Sequence, residues 1–227
     1  MNAKTLGLTL LAGTASAMLL WGCQTTRPSP IDEPSVQEGL VRVPNKTVDA
    51  VYRRPDASLA GYNKLLLRPV EVQFAKNWDP ASSGSALYQM NEPDREKIKR
   101  ELADVFAAVV KRDLERQGGY PLVNEPGSDV LEARAAVVNL YINAPDAPTA
   151  GRTKVYTTEA GEMTLILQLH DSVTGQLLAR VYDRRVGRDS GYWTWTNSVT
   201  NTAEAERIIS IWATGLRKAL DAAHAKS

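Results

Sequence analysis

Cysteine is almost missing from this chain of 227 residues: there is one, Cys23. A lone thiol closes no internal disulfide and excludes CxxC redox pairs and thiolate metal cages. Histidine is nearly as scarce, with His170 and His224 alone. An excess of charge of either sign is also lacking. Lys and Arg total 27 against 26 Asp and Glu, a net +1, which excludes the basic footprint that nucleic-acid binding demands. Long apolar runs are missing too, since nothing approaches the roughly 20 residues of a membrane-spanning helix. No GxSxG elbow, P-loop, HExxH helix or GxGxxG turn is present. The serines of "SSGSA" (Ser82, Ser83, Ser85) have no adjacent base to activate them. No catalytic constellation, metal site or cofactor motif is legible, and none is expected.

What is present begins at the N-terminus. "MNAK" carries Lys4, the one charge before Cys23, and Leu6 to Leu20, "LGLTLLAGTASAMLL", is apolar or small throughout. That run has the proportions of a signal-peptide core. Trp21, Gly22 and Cys23 follow, and "LWGC" resembles the Leu-x-Gly-Cys lipobox of bacterial lipoproteins, with Trp21 where a small or aliphatic residue is usual. The resemblance implies cleavage between Gly22 and Cys23, with Cys23 diacylglycerylated and then N-acylated. The residue types suit that chemistry: a nucleophilic sulfur accepts the lipid, and a small residue before the cut admits the backbone to a peptidase. Acyl chains contribute about 0.8 kcal/mol per buried CH₂, and stable anchoring takes more than one chain. A triacylated Cys23 meets that condition. Gln24, in place of the aspartate associated with inner-membrane retention, implies the outer membrane facing the periplasm.

Three regions follow from this reading. Residues 1–22 are a removable signal peptide. Residues 23–39 are the lipidated N-terminus and a flexible tether, since "QTTRPSPIDEPSVQEG" is too rich in Pro, Ser and charge to bury a core. Residues 40–227 form one domain, opened by an extended arm over 40–61 that ends at prolines and suits a sheet edge. "NKT" at Asn45 fits a glycosylation sequon, a chance match in this setting.

Within the domain, "YNKLLLRPVEVQFA" (Tyr62 to Ala75) predicts a strand with a bulge or edge at Pro69. A long Ser/Gly/Pro-rich loop follows, with Trp78 tucked back onto the domain. Ile98, Leu102, Val105, Phe106, Val109 and Leu114 make a helical stripe from near Asp94, stopped by Gly118 and Gly119. A short strand at "YPLV" and a longer one over 130–143 come next, then a loop opened by Pro145, Pro148 and Gly151. "EMTLILQLHDSVTGQLLARVYDRRVG" predicts a hairpin: Met163, Leu165, Leu167 and Leu169 share one face, Thr164, Gln168 and His170 the other, and Leu177, Ala179 and Val181 resume the alternation after the turn. A second helix over 203–223, capped by Asn201 and Glu204, turns Ile208, Ile209, Trp212, Leu216 and Leu220 inward. The order predicts an α+β two-layer sandwich: a mixed, mostly antiparallel sheet of about four to five strands with two long helices on one face.

"YNKLLLRPVEVQF", "PGSDVLEARAAVVNL" and "HDSVTGQLLARVYDRRVG" resemble three blocks of a family of bacterial lipoproteins known as domain of unknown function 3313. The Asp-Ser-x-Thr-Gly turn, the following Leu-Leu-Ala and Asp183-Arg184-Arg185 are the most specific of these residues. The resemblance implies a lipoprotein with a small α+β domain and implies no reaction.

Candidate functional residues are few. Neighbours on a strand point to opposite faces, so His170 and Asp171 make a poor dyad, and His224 falls in a frayed C-terminus. Asp183, Arg184, Arg185, Arg188 and Asp189 form a charged cluster, read first as cross-strand ion pairing and second as a partner or anion site. "GYWTWTNSVTN" puts Trp193 and Trp195 on one face of an extended segment, with Tyr192 on the other. Aromatics of this kind are enriched at interfaces. Tyr192, Trp193, Trp195, Arg184 and Arg185 are therefore the candidate partner surface. The reading is an envelope lipoprotein, held to the bilayer through acylated Cys23 and contacting an envelope protein or a second copy of itself, with no catalysis. The alternatives are a small-ligand carrier or sensor with the 145–160 loop as a lid, and an envelope hydrolase, which would need His170 beside a serine and a carboxylate.

Overall fold

The computed structural model describes residues 38–78, 91–116, 118–142, 155–157, 161–187, 194–196 and 198–225. The expected signal peptide, Gly22, Cys23 and the tether to Gln37 lie outside the described residues, as do Arg188, Asp189, Tyr192 and Trp193. In chain order the elements are β1 (Val41–Val43), β2 (Ala50–Arg53), β3 (Lys64–Leu67), β4 (Glu71–Phe74), α1 (Glu92–Glu115), β5 (Val130–Tyr141), β6 (Val155–Thr157), β7 (Glu162–Asp171), β8 (Leu177–Val186), β9 (Thr194–Thr196) and α2 (Ser198–His224).

Seven strands form one mixed sheet in the order β1-β2-β8-β7-β5-β3, with β4 also paired to β5. β3 and β4 run parallel to β5, and every other neighbouring pair is antiparallel. The connection from β4 through α1 to β5 is the helical crossover that parallel pairing requires. The α+β class and the mostly antiparallel mixture therefore stand, and the strand number is corrected from four or five to seven. Two causes account for the difference. Pro69, with no backbone N–H to give, breaks the segment expected as one strand into β3 and β4. The arm over 40–61 supplies both β1, the edge, and β2, which pairs with β8 through Ala50–Arg53. β6 and β9 make a separate two-stranded ribbon, with Tyr156 opposite Trp195.

One sheet face carries the main core. Leu131, Ala133, Ala135 and Val137 of β5 lie beside Met163, Leu165, Leu167 and Leu169 of β7, and both helices close over them. α1 contributes Leu102, Phe106, Val109, Val110 and Leu114; α2 contributes Ile208, Ile209, Trp212, Ala213 and Leu220. Full burial of each large apolar side chain is worth about 1.5–3 kcal/mol, so this face dominates stability. The small Ala133 and Ala135 mid-sheet leave room for the helices to approach. Ser210 Oγ of α2 donates to Asp113 Oδ2 of α1 at 2.5 Å and ties the helices to each other.

Local chemistry sets the helix ends. Asn91 caps α1 by accepting from Asp94 N at 2.9 Å, Pro93 fits the first turn, and Glu92 and Asp94 complement the helix dipole. The expected start near Asp94 thus moves back to Glu92. At the other end Gly118 takes φ +69°, and Tyr120 N reaches Leu114 O at 2.8 Å. α2 begins at Ser198, so Asn201 lies inside the helix and is not its cap; Glu204 instead pairs with Arg207. The C-terminal end is docked, not frayed: His224 packs edge-on against Tyr120, and its Nε2 lies 3.1 Å from the Tyr62 carbonyl. Trp78 does tuck back, stacked 4.2 Å from Phe74 with its Nε1 donating to Ile142 O at 3.0 Å.

Candidate interaction surface at the end of the central hairpin

The β7–β8 hairpin sets the geometry of both sheet faces. Asp171 Oδ1 accepts from Val173 N, Thr174 N and Thr174 Oγ1, which folds the Asp-Ser-Val-Thr-Gly turn, and Gly175 takes φ +71°. These bonds hold the Asp171 carboxyl below its ordinary range, with the Thr174 amide the largest cause. A register shift between Leu169 and His170 then changes the expected alternation. Ala179 and Val181 stay with the main core, whereas Leu177 goes to the opposite face. There it joins Leu40, Ala50, Tyr52 and Tyr182 in a second, smaller core beneath the N-terminal arm. The Tyr52 hydroxyl in that cluster is buried without a hydrogen-bond partner.

The same second face carries buried charge. Glu132, only 3% exposed, accepts from Arg68 Nη2 at 2.8 Å and from Arg134 Nε at 2.5 Å. The Arg68 bond is the largest cause holding its carboxyl below the usual range, with Arg134 adding to it and burial opposing. His170 lies opposite Glu132 in the strand register. Its Nδ1 is 3.1 Å from Gly175 O and its Nε2 is 3.4 Å from Gln168 Oε1. A carbonyl only accepts, so Nδ1 carries a proton. Ser172 Oγ, the nearest serine in sequence, donates instead to Gly127 O at 3.0 Å. The histidine holds the turn, and the grouping a hydrolase would need is not formed around it by these contacts. Among the described residues no group of three or more His, Cys, Asp or Glu could hold a metal ion.

At the far end of β8 lies the charged cluster. Asp183 is 2% exposed on the helix side of the sheet. Its Oδ2 accepts from Trp212 Nε1 at 2.7 Å and Arg185 Nε at 2.6 Å, and its Oδ1 from Asp49 N at 3.2 Å. Arg185 also donates to Thr47 O at 2.6 Å, and Arg184 N donates to Asp49 Oδ2 at 2.8 Å. On the other face the Arg184 guanidinium pairs with Glu162 of β7. Ion pairing, the first reading of this cluster, describes Asp183, Arg184 and Arg185. The pairs clamp the β1–β2 loop and α2 onto the end of β8. Asn45 belongs to the same clamp, since its Oδ1 accepts from Thr47 N and Val48 N and shapes the loop.

Of the candidate partner surface, Arg184 and Arg185 are fixed by this clamp, with Arg184 the more exposed. Trp195 lies on β9, which residues 187–193 join to the end of β8. Within the loop expected as a lid, 155–157 are held in β6 against β9, and the rest lies outside the described residues. Sequence reasoning missed Glu132, Arg180 and the bond from Trp212 to Asp183. The spacing of Glu132 and Arg134, and of Asp183 and Arg185, two apart on a strand and so on one face, was the available signal.

These features define an α+β protein with an open seven-stranded sheet, helices on one face and charge buried in fixed pairs. Its family follows from the sequence match: the chain belongs to the family described as protein of unknown function DUF3313, whose profile matches residues 36–216. No curated protein matches the chain. Solved structures are also similar to it, three of them as follows. Protein XCC0632 from Xanthomonas campestris is 14% identical, covering 72% of this chain and 86% of its own, with TM-score 0.38. The PelC dodecamer from Paraburkholderia phytofirmans is 11% identical, covering 74% and 96%, with TM-score 0.36. A neuraminyllactose-binding hemagglutinin homolog from Helicobacter pylori is 14% identical, covering 76% and 96%, with TM-score 0.38.

Proposed function

We propose that this protein is a bacterial envelope lipoprotein, acylated at Cys23 and facing the periplasm from the outer membrane, whose domain acts by binding another envelope protein or a second copy of itself. The anchor rests on the order of Lys4, the apolar core, Gly22 and Cys23. A binding role rests on one structural observation above others: the buried acid and base groups Glu132, His170 and Asp183 are each committed to bonds that hold strands, turns and helices together. What is left to meet a partner is surface. The candidate is the end of the central hairpin, where Arg184, Arg185 and the β9 segment with its aromatic neighbours come together along the chain.

Two measurements test this. Intact mass of the envelope-extracted protein is expected to show a triacylated Cys23 at the N-terminus, and Cys23→Ser is expected to leave the protein unprocessed at residue 23. Crosslinking in intact envelopes is expected to capture a specific partner or oligomer, and Trp193→Ala with Trp195→Ala to abolish that capture. Recovery of monomer alone, under conditions where other envelope complexes are captured, would defeat the binding role.

A further inference from the structure

We infer that the β1–β2–β8 edge of the sheet is a docking surface for the anionic phospholipid headgroups of the leaflet that carries the anchor. This rests on the reading of Cys23 as the lipid attachment. Charge is the first observation. Between Leu40 and Pro55 the chain carries Arg42, Lys46, Arg53 and Arg54 against Asp49 alone, and β8 adds Arg180, Arg184 and Arg185 against Asp183. Glu38 and Glu162 pair with Arg180 and Arg184. With both counted, this edge still holds a positive excess in a chain whose net charge is +1. α1, by contrast, mixes its charges along its length, with Lys97–Glu101 and Glu96–Lys99 pairs.

Geometry is the second observation. Arg42, Lys46 and Arg53 are all exposed, and they lie on the edge strand, its loop and its neighbour. One neighbouring set of contacts fixes a cation through neutral carbonyls: Arg54 donates to those of Leu177 and Glu38. The exposed edge residue Val41, opposite Arg53 in the register, adds apolar area to the edge. The third observation is the point at which the chain enters. Glu38 to Leu40 lead directly into β1, so the segment joined to Cys23 meets the domain at this same edge. Gln24 to Gln37 reaches at most about 50 Å when fully extended. That length keeps the basic edge close to the membrane and lets it touch. A polybasic surface next to a lipid anchor is the second of the two signals that stable membrane attachment uses. The surface would set the domain's orientation, turning the edge down and the helices away.

Flotation with vesicles tests the surface without the acyl chains. Every member of both core clusters lies between Leu40 and Leu220, so the polypeptide 24–227 keeps the whole core. It is expected to float with vesicles of phosphatidylcholine holding about 30% phosphatidylglycerol, to ignore pure phosphatidylcholine, and to detach at about 0.5 M salt. The triple change Arg42→Gln, Lys46→Gln, Arg53→Gln is expected to weaken binding about a hundredfold, near fivefold per charge. Its fold is checked by thermal melting. Lys97→Gln, Arg100→Gln, Lys111→Gln on α1 removes the same charge and is expected to leave binding unchanged. Failure to float with anionic vesicles, or equal losses from the two triple variants, overturns the inference. A mass showing no acyl group on Cys23 overturns the anchor instead, and the two results are independent.

Discussion

Asp183 is where single-residue energetics are most concentrated. Three donors from three elements meet one buried carboxylate: Trp212 from α2, Arg185 from β8 and Asp49 N from the loop before β2. Removing the acceptor strands all three, and breaking a buried charged network by deleting one partner costs about 3–5 kcal/mol. Asp183→Ala is expected to lose that much in urea unfolding. Trp212→Phe keeps the ring's packing, removes one bond to a charged group, and is expected to lose about 1.5–3 kcal/mol. The two changes together should fall short of the sum, since they share the same bond.

Titration is also a residue-scale property. Tyr62 and Tyr120 are each pushed up to about 12, first by burial and then by donating to Asp171 and Asp221. The neutral phenol is the bonded form, so its stabilisation is complete below the unfolded value of about 10 and is lost as pH rises toward 12. Glu132, Asp113 and Asp171 are shifted the other way, chiefly by Arg68, Arg112 and the Thr174 amide respectively. Their contribution is present above the unfolded carboxylate range of about 4 and disappears as pH falls through the lowered folded values. The melting temperature is therefore expected to fall on both sides, below pH ~4 and above pH ~10. In ultraviolet titration, Tyr62→Phe and Tyr120→Phe should each remove a late component.

Elements meet most tightly where β5 ends and β7 begins. Asn139 takes φ +52°, the pairing of β5 with β7 shifts between Val138 and Tyr141, and Gly161 takes φ +106°. A Cβ on Gly161 would lie 2.1 Å from the Tyr141 carbonyl, while Gly161 O accepts from Gly187 N at 2.7 Å. One glycine therefore holds β5, β7 and the end of β8 at a common boundary. Gly161→Ala brings an overlap with backbone together with a left-handed conformation that costs about 1–2 kcal/mol by itself. It is expected to lower stability by more than that figure. Amide exchange should speed up around Tyr141, Glu162 and Gly187 while α1 stays protected, because the helix is held by the main core and not by this junction.

The whole molecule is an asymmetric slab. Helices cover one sheet face; the other carries a small core under the N-terminal arm and a set of paired charges beside it. That arrangement explains why the arm is part of the fold, with Leu40 buried and Glu38 paired to Arg180. The segment read as a tether ends, in consequence, at a fixed point on the sheet edge. Pulling on the N-terminus loads β1 first, since β1 is the terminal strand. Single-molecule extension from Gln24 is expected to peel β1 and β2 at lower force than the β7–β8 hairpin, which is paired on both sides. A first rupture within the helices would contradict this order.

Sequence by itself determined whatever depends on local spacing. The helical stripe of α1, the apolar face of α2, the turn at Asp171 to Gly175, and the inward set Met163, Leu165, Leu167 and Leu169 were legible, because period and turn chemistry act over a few residues. The family blocks were legible for the same reason. Tertiary structure decided what depends on distant partners. A register shift sent Leu177 to the second face, a two-sided pairing made the arm a pair of sheet strands, and Trp212 found Asp183 across the main core. None of these contacts is encoded in a short window. Each is chosen when the chain must satisfy every buried donor and acceptor at once, and that condition exists only after the sheet and helices have closed on one another.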